Sequence, residues 1–251
     1  MWLTTIINGV SSFSASTGAY NGWIGRTNAA PSSGCTTGSN GSYTVSTSGW
    51  CKGGAAQAGS APGDRGGGFN FWVGVQDFTG ITSDGTYLYI ANTNNYRIDK
   101  FTLSGVWSGG VLPSKNTYTN VWSTVPATVA SWNTGGCDRP RGLWTDGTNI
   151  YGTNYNDCAV GWGYSPFVYK LDVSTGNVVG WQGAILPSNL PSGGEAGCAG
   201  ASGSTPGWCQ GGGSMTSYKM GQFSEARGVT GDAYYIYVTD EDTNRVTRLP
   251  K

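Results

Sequence analysis

One segment of this chain occurs twice at a fixed distance. Ser16-Thr17-Gly18-Ala19-Tyr20-Asn21-Gly22-Trp23-Ile24-Gly25 returns 158 residues later as Ser174-Thr175-Gly176-Asn177-Val178-Val179-Gly180-Trp181-Gln182-Gly183, and Gly49-Trp50-Cys51 returns at the same offset as Gly207-Trp208-Cys209. Self-similarity of this kind marks an architecture of stacked supersecondary units, each unable to bury its apolar face alone. It directs the search for function away from a buried reaction centre and toward exposed loops.

Three stretches share a strand–turn–strand rhythm. The first runs from Phe78-Thr79-Gly80-Ile81 through Asp84-Gly85 and Tyr87-Leu88-Tyr89-Ile90 to Asn95-Tyr96-Arg97-Ile98. The second runs from Pro140-Arg141-Gly142-Leu143 through Asp146-Gly147 and Ile150-Tyr151 to Phe167-Val168-Tyr169-Lys170-Leu171. The third runs from Ala226-Arg227-Gly228-Val229 through Asp232 and Tyr235-Ile236-Tyr237-Val238 to Asn244-Arg245-Val246. Asp-Gly is a strong hairpin-turn dipeptide because the turn needs positive φ. The flanking runs alternate β-branched or aromatic residues with polar ones, the period of strands. No amphipathic helical stretch of useful length is present, so the fold class is all-β, over residues 1–251 as one domain. A further strand follows the first two sets, at Val106-Trp107-Ser108-Gly109-Gly110 and Val178-Val179-Gly180-Trp181. Long Gly/Ser/Pro-rich insertions, such as 26–68 and 184–217, exceed plain turns and read as ordered surface loops.

Composition removes whole classes of function. Glycine is 43 of 251 residues, more than twice the usual ~7%. Acids and bases balance at 14 each with no Lys/Arg run, so no patch exists to neutralise nucleic-acid phosphates. No apolar run approaches the ~20 residues of a membrane span. The start, Met1-Trp2-Leu3-Thr4-Thr5-Ile6, lacks the basic and apolar regions of a signal peptide, and the expectation is a fragment of a longer surface protein. Histidine is absent. This excludes Ser-His-Asp and Cys-His nucleophilic catalysis, histidine acid–base chemistry and histidine-ligated zinc. The expectation is a protein that is not an enzyme and carries no cofactor or metal.

The six cysteines are Cys35, Cys51, Cys137, Cys158, Cys198 and Cys209, with no CxxC. Zinc sites use tighter pairs. Disulfides 35–51, 137–158 and 198–209 each close a local loop, stabilising by roughly 3 kcal/mol apiece; spacing alone leaves other pairings open. Disulfides imply an extracellular or cell-surface location.

The pattern Pro/Phe-x-Gly-Ile/Leu/Val-x-x-Asp-Gly-x-x-Ile/Leu-Tyr, followed by Asn-x-Arg-Ile/Val, resembles the NHL repeat. It fits residues 78–110, 140–183 and 226–249, although the second stretch lacks the Asn-x-Arg element. The resemblance implies a β-propeller-like assembly of four-stranded antiparallel blades. The texture of paired-Cys, Trp/Gly-rich loops on such blades is similar to large surface or fibre proteins of bacteria, including predatory ones. Three blades do not close a ring, since propellers have four to eight. Either strands in 28–77 and 115–135 form divergent blades, or other chains complete the ring; N-terminal strands are also placed to finish the last blade. A homo-oligomer is favoured, a trimer if this is a fibre tip.

The resemblance also places Arg141 and Arg227 on the innermost strand near the central axis, paired to a neighbouring Asp or to a backbone carbonyl, with an anion-binding role as the alternative. It has Arg97 and Arg245 lock blade to blade, and Trp23 and Trp181 pack between blades. Asp240-Glu241-Asp242 reads as a solvated turn, with a calcium loop as the sharper alternative. The candidate ligand-binding residues are Trp50 and Trp208, beside loop cysteines, and Trp132, Trp162 and Tyr164 in divergent loops. Their rings stack on sugars, and loops on a rigid scaffold are where binding residues concentrate. The functional expectation is an extracellular adhesion or receptor-binding module that recognises a cell-surface glycan or protein receptor. The alternatives are a structural fibre segment without ligand and a carboxylate-based glycan hydrolase.

Overall fold

The computed structural model describes residues 1–5, 9–25, 27–29, 37–40, 43–56, 69, 80–111, 138–156, 166–195 and 197–251. Their regular structure is β throughout apart from one 3-10 turn at Thr93–Asn95, as the alternating pattern predicts. Four larger antiparallel sheets follow one another along the chain. Sheet I holds β1 (Trp2–Thr5), β2 (Gly9–Phe13) and β3 (Tyr20–Gly25). Two short pairs come next, β4 (Thr27–Ala29) with β7 (Ala55–Ala56) and β5 (Thr37–Asn40) with β6 (Tyr43–Thr47). Sheet II is four-stranded: β8 (Ile81–Ser83), β9 (Tyr87–Asn92), β10 (Arg97–Thr102) and β11 (Trp107–Val111). Sheet III is likewise four-stranded: β12 (Asp138–Thr145), β13 (Asn149–Asn156), β14 (Phe167–Asp172) and β15 (Val178–Gln182). The pair β16 (Ala184–Ile185) and β17 (Ser214–Met215) precedes sheet IV, which is β18 (Ala226–Gly231), β19 (Tyr235–Asp240) and β20 (Arg245–Pro250).

The N-terminal strands do not complete the last sheet. They form sheet I by themselves, and among the described residues no strand pairs with the outer edge of β20. The described part of the 28–77 region contributes short strand pairs rather than a further four-stranded sheet, and 115–135 lies outside the described residues. Among the described residues the sheets do not close a ring.

The sheets share their irregularities as well as their strands. The last strand of sheets I, II and III carries one extra residue, at Asn21, Ser108 and Val179. Such a bulge bends the strand and increases its twist. The first strands of sheets III and IV bulge at Arg141-Gly142 and Arg227-Gly228.

One turn device recurs in sheets II, III and IV. The Asp84 carboxylate accepts the Thr86 and Tyr87 N–H groups at 2.7 Å each and the Tyr89 hydroxyl at 2.8 Å. Asp146 does the same for Thr148, Asn149 and the Tyr151 hydroxyl at 3.0, 2.8 and 3.1 Å. Asp232 does so for Tyr234, Tyr235 and the Tyr237 hydroxyl at 2.8, 2.9 and 2.7 Å. Gly85 and Gly147 supply the positive φ (88° and 90°) that the first two turns need. Burial lifts the Asp84 and Asp146 carboxyls, but their donors outweigh it and hold both below the usual carboxylate range. The Tyr234 N–H, the Tyr237 hydroxyl and the Tyr235 N–H hold Asp232 low. Burial, reinforced by the facing carboxylate, raises the Tyr89 and Tyr151 hydroxyls, and the bond to Asp232 raises Tyr237.

Two limbs of pH dependence follow. The depressed carboxyls contribute stability that is present above an unfolded aspartate's pKa of about 3.9 and is lost as the pH falls through their folded values. The raised tyrosines contribute stability that is full below about pH 10 and is lost above it. Urea unfolding across the pH range is expected to show both limbs. Asp146→Asn should flatten the acid limb and Tyr151→Phe the alkaline one; unchanged limbs would remove the turn from the account of stability.

The core lies between successive sheets. Val10 and Ile24 of sheet I meet Leu88, Ile90 and Phe101 of sheet II. Tyr89, Ala91 and Ile98 on the other face of sheet II meet Leu143, Ile150 and Leu171 of sheet III. Tyr151 and Val168 of sheet III meet Ile236, Val238 and Leu249 of sheet IV. Glycines let the first strands approach one another. Gly80 N–H donates to Arg141 O at 2.6 Å, and a Cβ on Gly80 would lie 2.3 Å from Leu143 N. A Cβ on Gly142 would lie 2.4 Å from Arg227 O.

Candidate binding surface

The repeated Trp segments build the same clasp twice. Trp23 exchanges backbone hydrogen bonds with Cys51 at 2.8 and 3.0 Å, and Trp181 exchanges them with Cys209 at the same distances. Trp23 Nε1 donates to Gly53 O and Trp181 Nε1 to Gly211 O, both at 2.8 Å. The Gly25 and Gly183 N–H groups donate to the Thr47 and Thr205 hydroxyls, both at 3.1 Å. Gly22 and Gly180 allow this approach, since a Cβ at either would come within 2.8 Å of the clasping strand's backbone. Trp181 is fully buried and Trp23 nearly so. Both tryptophans therefore serve packing, each tying a long loop to the edge of its own sheet.

The second clasp is locked covalently. Cys198 and Cys209 form a disulfide with a Cα separation of 5.5 Å, as the spacing predicts. Cys51 is disulfide-bonded as well; its expected partner Cys35 lies outside the described residues, as do Cys137 and Cys158.

The candidate ligand-binding residues fare unequally. Trp208 is 3% exposed, and its ring lies 5.7 Å from Tyr151 and 5.7 Å from Lys170 Nζ, so the face expected to meet a ligand is covered by the core between sheets III and IV. Trp50 is half-buried against the core between sheets I and II and donates Nε1 to Leu103 O at 2.8 Å. The structure therefore does not bring Trp50 and Trp208 onto one surface. Trp132, Trp162 and Tyr164 lie outside the described residues.

The loop that Trp181 and Cys209 anchor carries a different set of exposed side chains. Leu190 and Met215 are more than a third exposed, Tyr218 is 68% exposed and Met220 84%. Their backbone is held. Ile185 N–H donates to Gly203 O and Leu186 N–H to Gly213 O, both at 2.7 Å. Ser192 and Gln210 exchange backbone bonds, and Gln222 Nε2 donates to Ser204 Oγ at 2.8 Å. Arg245 donates to the carbonyls of Tyr218 (2.9 Å), Lys219 (2.8 Å) and Gln222. Arg245 thus fixes this loop rather than a neighbouring sheet. Arg97, for its part, is buried beside Asp99 (2.9 Å), which also accepts Asn92 Nδ2 and Trp107 Nε1 within sheet II. Sequence reasoning missed Tyr218 and Met220. The available signal was a Tyr-Lys-Met run inside a Gly/Ser-rich loop.

The charged groups at the first strands neutralise one another. Arg141 and Arg227 both pair with Glu225, at 3.0 and 2.9 Å, and Arg227 also pairs with Glu241, so glutamates supply ion pairs where an aspartate is the sequence expectation. Asp240 is buried and accepts the Ser224 and Glu225 N–H groups, while Asp242 accepts the Ser224 hydroxyl. Asp240 and Asp242 thus both hold Ser224 while Glu241 turns to Arg227, and among the described residues the three carboxylates do not gather into a cation-binding group. Beside them opens a cleft of about 760 Å³, lined by Ile81, Leu143, Gly228, Thr239, Asn244 and Val246 among others.

Among the described residues no helix is long and apolar enough to cross a membrane. The chain matches no known protein family and no curated protein.

Proposed function

We propose that this chain is an extracellular, non-enzymatic adhesion or receptor-binding module. In this reading it is a β-propeller-like stack of NHL-like blades that presents the loop 186–222 to a polar surface ligand, a glycan or a protein receptor. The observation that carries the reading is the contrast within that loop. Its backbone is tied by a clasp, a disulfide and Arg245, yet Tyr218 and Met220 stand in solvent. Large apolar side chains held rigidly on the surface are characteristic of contact sites, because little conformational entropy is lost on binding. Tyrosine supplies a face for stacking and a hydroxyl that stays wet. The absence of histidine and the engagement of the acidic run in structural bonds to Ser224, Glu225 and Arg227 support a binding role over catalysis. The disulfide supports an oxidising location.

The test is a glycan array together with binding to intact bacterial and eukaryotic cells. Tyr218→Ala and Met220→Ala should each weaken binding by roughly tenfold, while Tyr234→Ala, on an exposed turn of sheet IV, should leave it unchanged. Binding that ignores both loop variants would move the site elsewhere. A wild-type chain that binds nothing would leave a scaffold segment.

A further inference from the structure

Each sheet turns one face back to the sheet before it and one face forward to the sheet after it, and the forward faces are built alike. In sheet II the forward face is Tyr89, Ala91 and Ile98, all fully buried against sheet III. In sheet III the same register positions are Tyr151, Thr153 and Val168, buried on the side of sheet IV. In sheet IV they are Tyr237, Thr239 and Val246. Three local markers fix this correspondence. Tyr237 bonds Asp232 as Tyr89 bonds Asp84 and Tyr151 bonds Asp146. The Thr239 hydroxyl accepts Gly228 N–H at 2.8 Å, as Thr153 accepts Gly142 N–H at 2.8 Å. Val246 stands two residues after left-handed Asn244 (φ 50°), as Ile98 stands two after left-handed Tyr96 (φ 56°). Yet Val246 is 63% exposed, Thr239 is exposed and Tyr237 half-exposed.

The complementary surface is at the other end of the stack. Phe101 and Leu171, each just past the bulge of its hairpin, lie on faces that receive a preceding sheet, and both are buried. Phe13 holds that position in sheet I. It is half-exposed, packed on Tyr20 at 5.4 Å, with Tyr20 and Met1 open to solvent beside it. Among the described residues there is thus one uncovered forward face and one uncovered back face of a contact made three times between successive sheets.

We propose that the forward face of sheet IV receives the back face of sheet I from a second copy of this chain, continuing the internal stacking head to tail. This goes beyond the ligand-binding reading and does not depend on it. The contact is heterologous, so it adds copies until a ring closes or a filament grows.

Sedimentation velocity across the micromolar range should show wild-type particles at multiples of 26.2 kDa. Val246→Asp and Phe13→Asp should each reduce association by at least tenfold. Thr239→Arg and Tyr20→Asp, at other exposed positions of the same two faces, serve where the first variants fail to fold, as judged by melting. Mixing a sheet IV variant with a sheet I variant should restore one contact and yield a dimer with no larger species, since each partner retains the face the other has lost. A monomeric wild type, association indifferent to these changes, or a mixture that stays monomeric would each overturn the proposal.

Discussion

Trp181→Ala is expected to be among the most damaging single changes in the described structure, at about 4 kcal/mol, lowering Tm by roughly 8–16 °C. Two effects combine. The indole is fully buried and meets Phe167 edge-on at 5.9 Å, so its removal opens a cavity in the core between sheets II and III. Gly211 O loses its donor. With that bond the indole's tie to the loop goes, while the backbone exchange with Cys209 and the Gly183–Thr205 bond remain. Trp181→Phe should fall between, because it refills part of the volume while still leaving Gly211 O without its partner. Thermal melts of the three proteins check this ordering. A Tm for Trp181→Ala within a degree or two of wild type would show that the clasp does not join the loop to the core.

Gly142→Ala is expected to cost about 3 kcal/mol or more, at the upper end of overpacking effects. The new methyl would sit 2.4 Å from Arg227 O and 3.0 Å from Val229 N. Both atoms belong to the backbone of β18, which is fixed in its ladder to β19, so relief requires sheets III and IV to part. Gly80→Ala should behave alike, since its Cβ would meet Leu143 N and Arg141 O. Gly228→Ala is the control. Its Cβ would meet the Thr239 hydroxyl at 3.1 Å and little else, so the change should be mild. Denaturant midpoints for the three variants separate covered from open positions; equal losses at Gly142 and Gly228 would contradict the stacking described above.

Much of the scaffold was legible because it is local. Asp84, Asp146 and Asp232 announce their turns within six residues, and the tyrosine that closes each turn is part of the same short pattern. The 158-residue recurrence of Gly-Trp and Gly-Trp-Cys is one clasp made twice, and the 198–209 bridge is the short-loop pairing among those that spacing leaves open. What escaped depends on partners distant in sequence. Trp208 reads as an exposed loop aromatic until Tyr151 and Val168 from one sheet and Ile236 from the next cover it. Arg245 reads as a link between blades until the loop at 218–222 folds over it. Tyr218 and Met220 lie in no periodic run, and only the anchoring of their loop shows that they are held at the surface. β1 was missed because Trp2-Leu3-Thr4-Thr5 is too short to display a period and gains its identity by pairing with β2.

The strands of every large sheet are consecutive in the chain. Most pairing is therefore settled within a few dozen residues, and long-range order enters through contacts between immediate neighbours. Such a linear array opens from its ends. Amide hydrogen exchange should be fastest in β20, whose outer edge has no partner strand among the described residues, and slowest in β13 and β14, which have sheets on both sides. A force pulling on the C-terminus of a single chain would be shed by peeling sheet IV before sheets II and III yield.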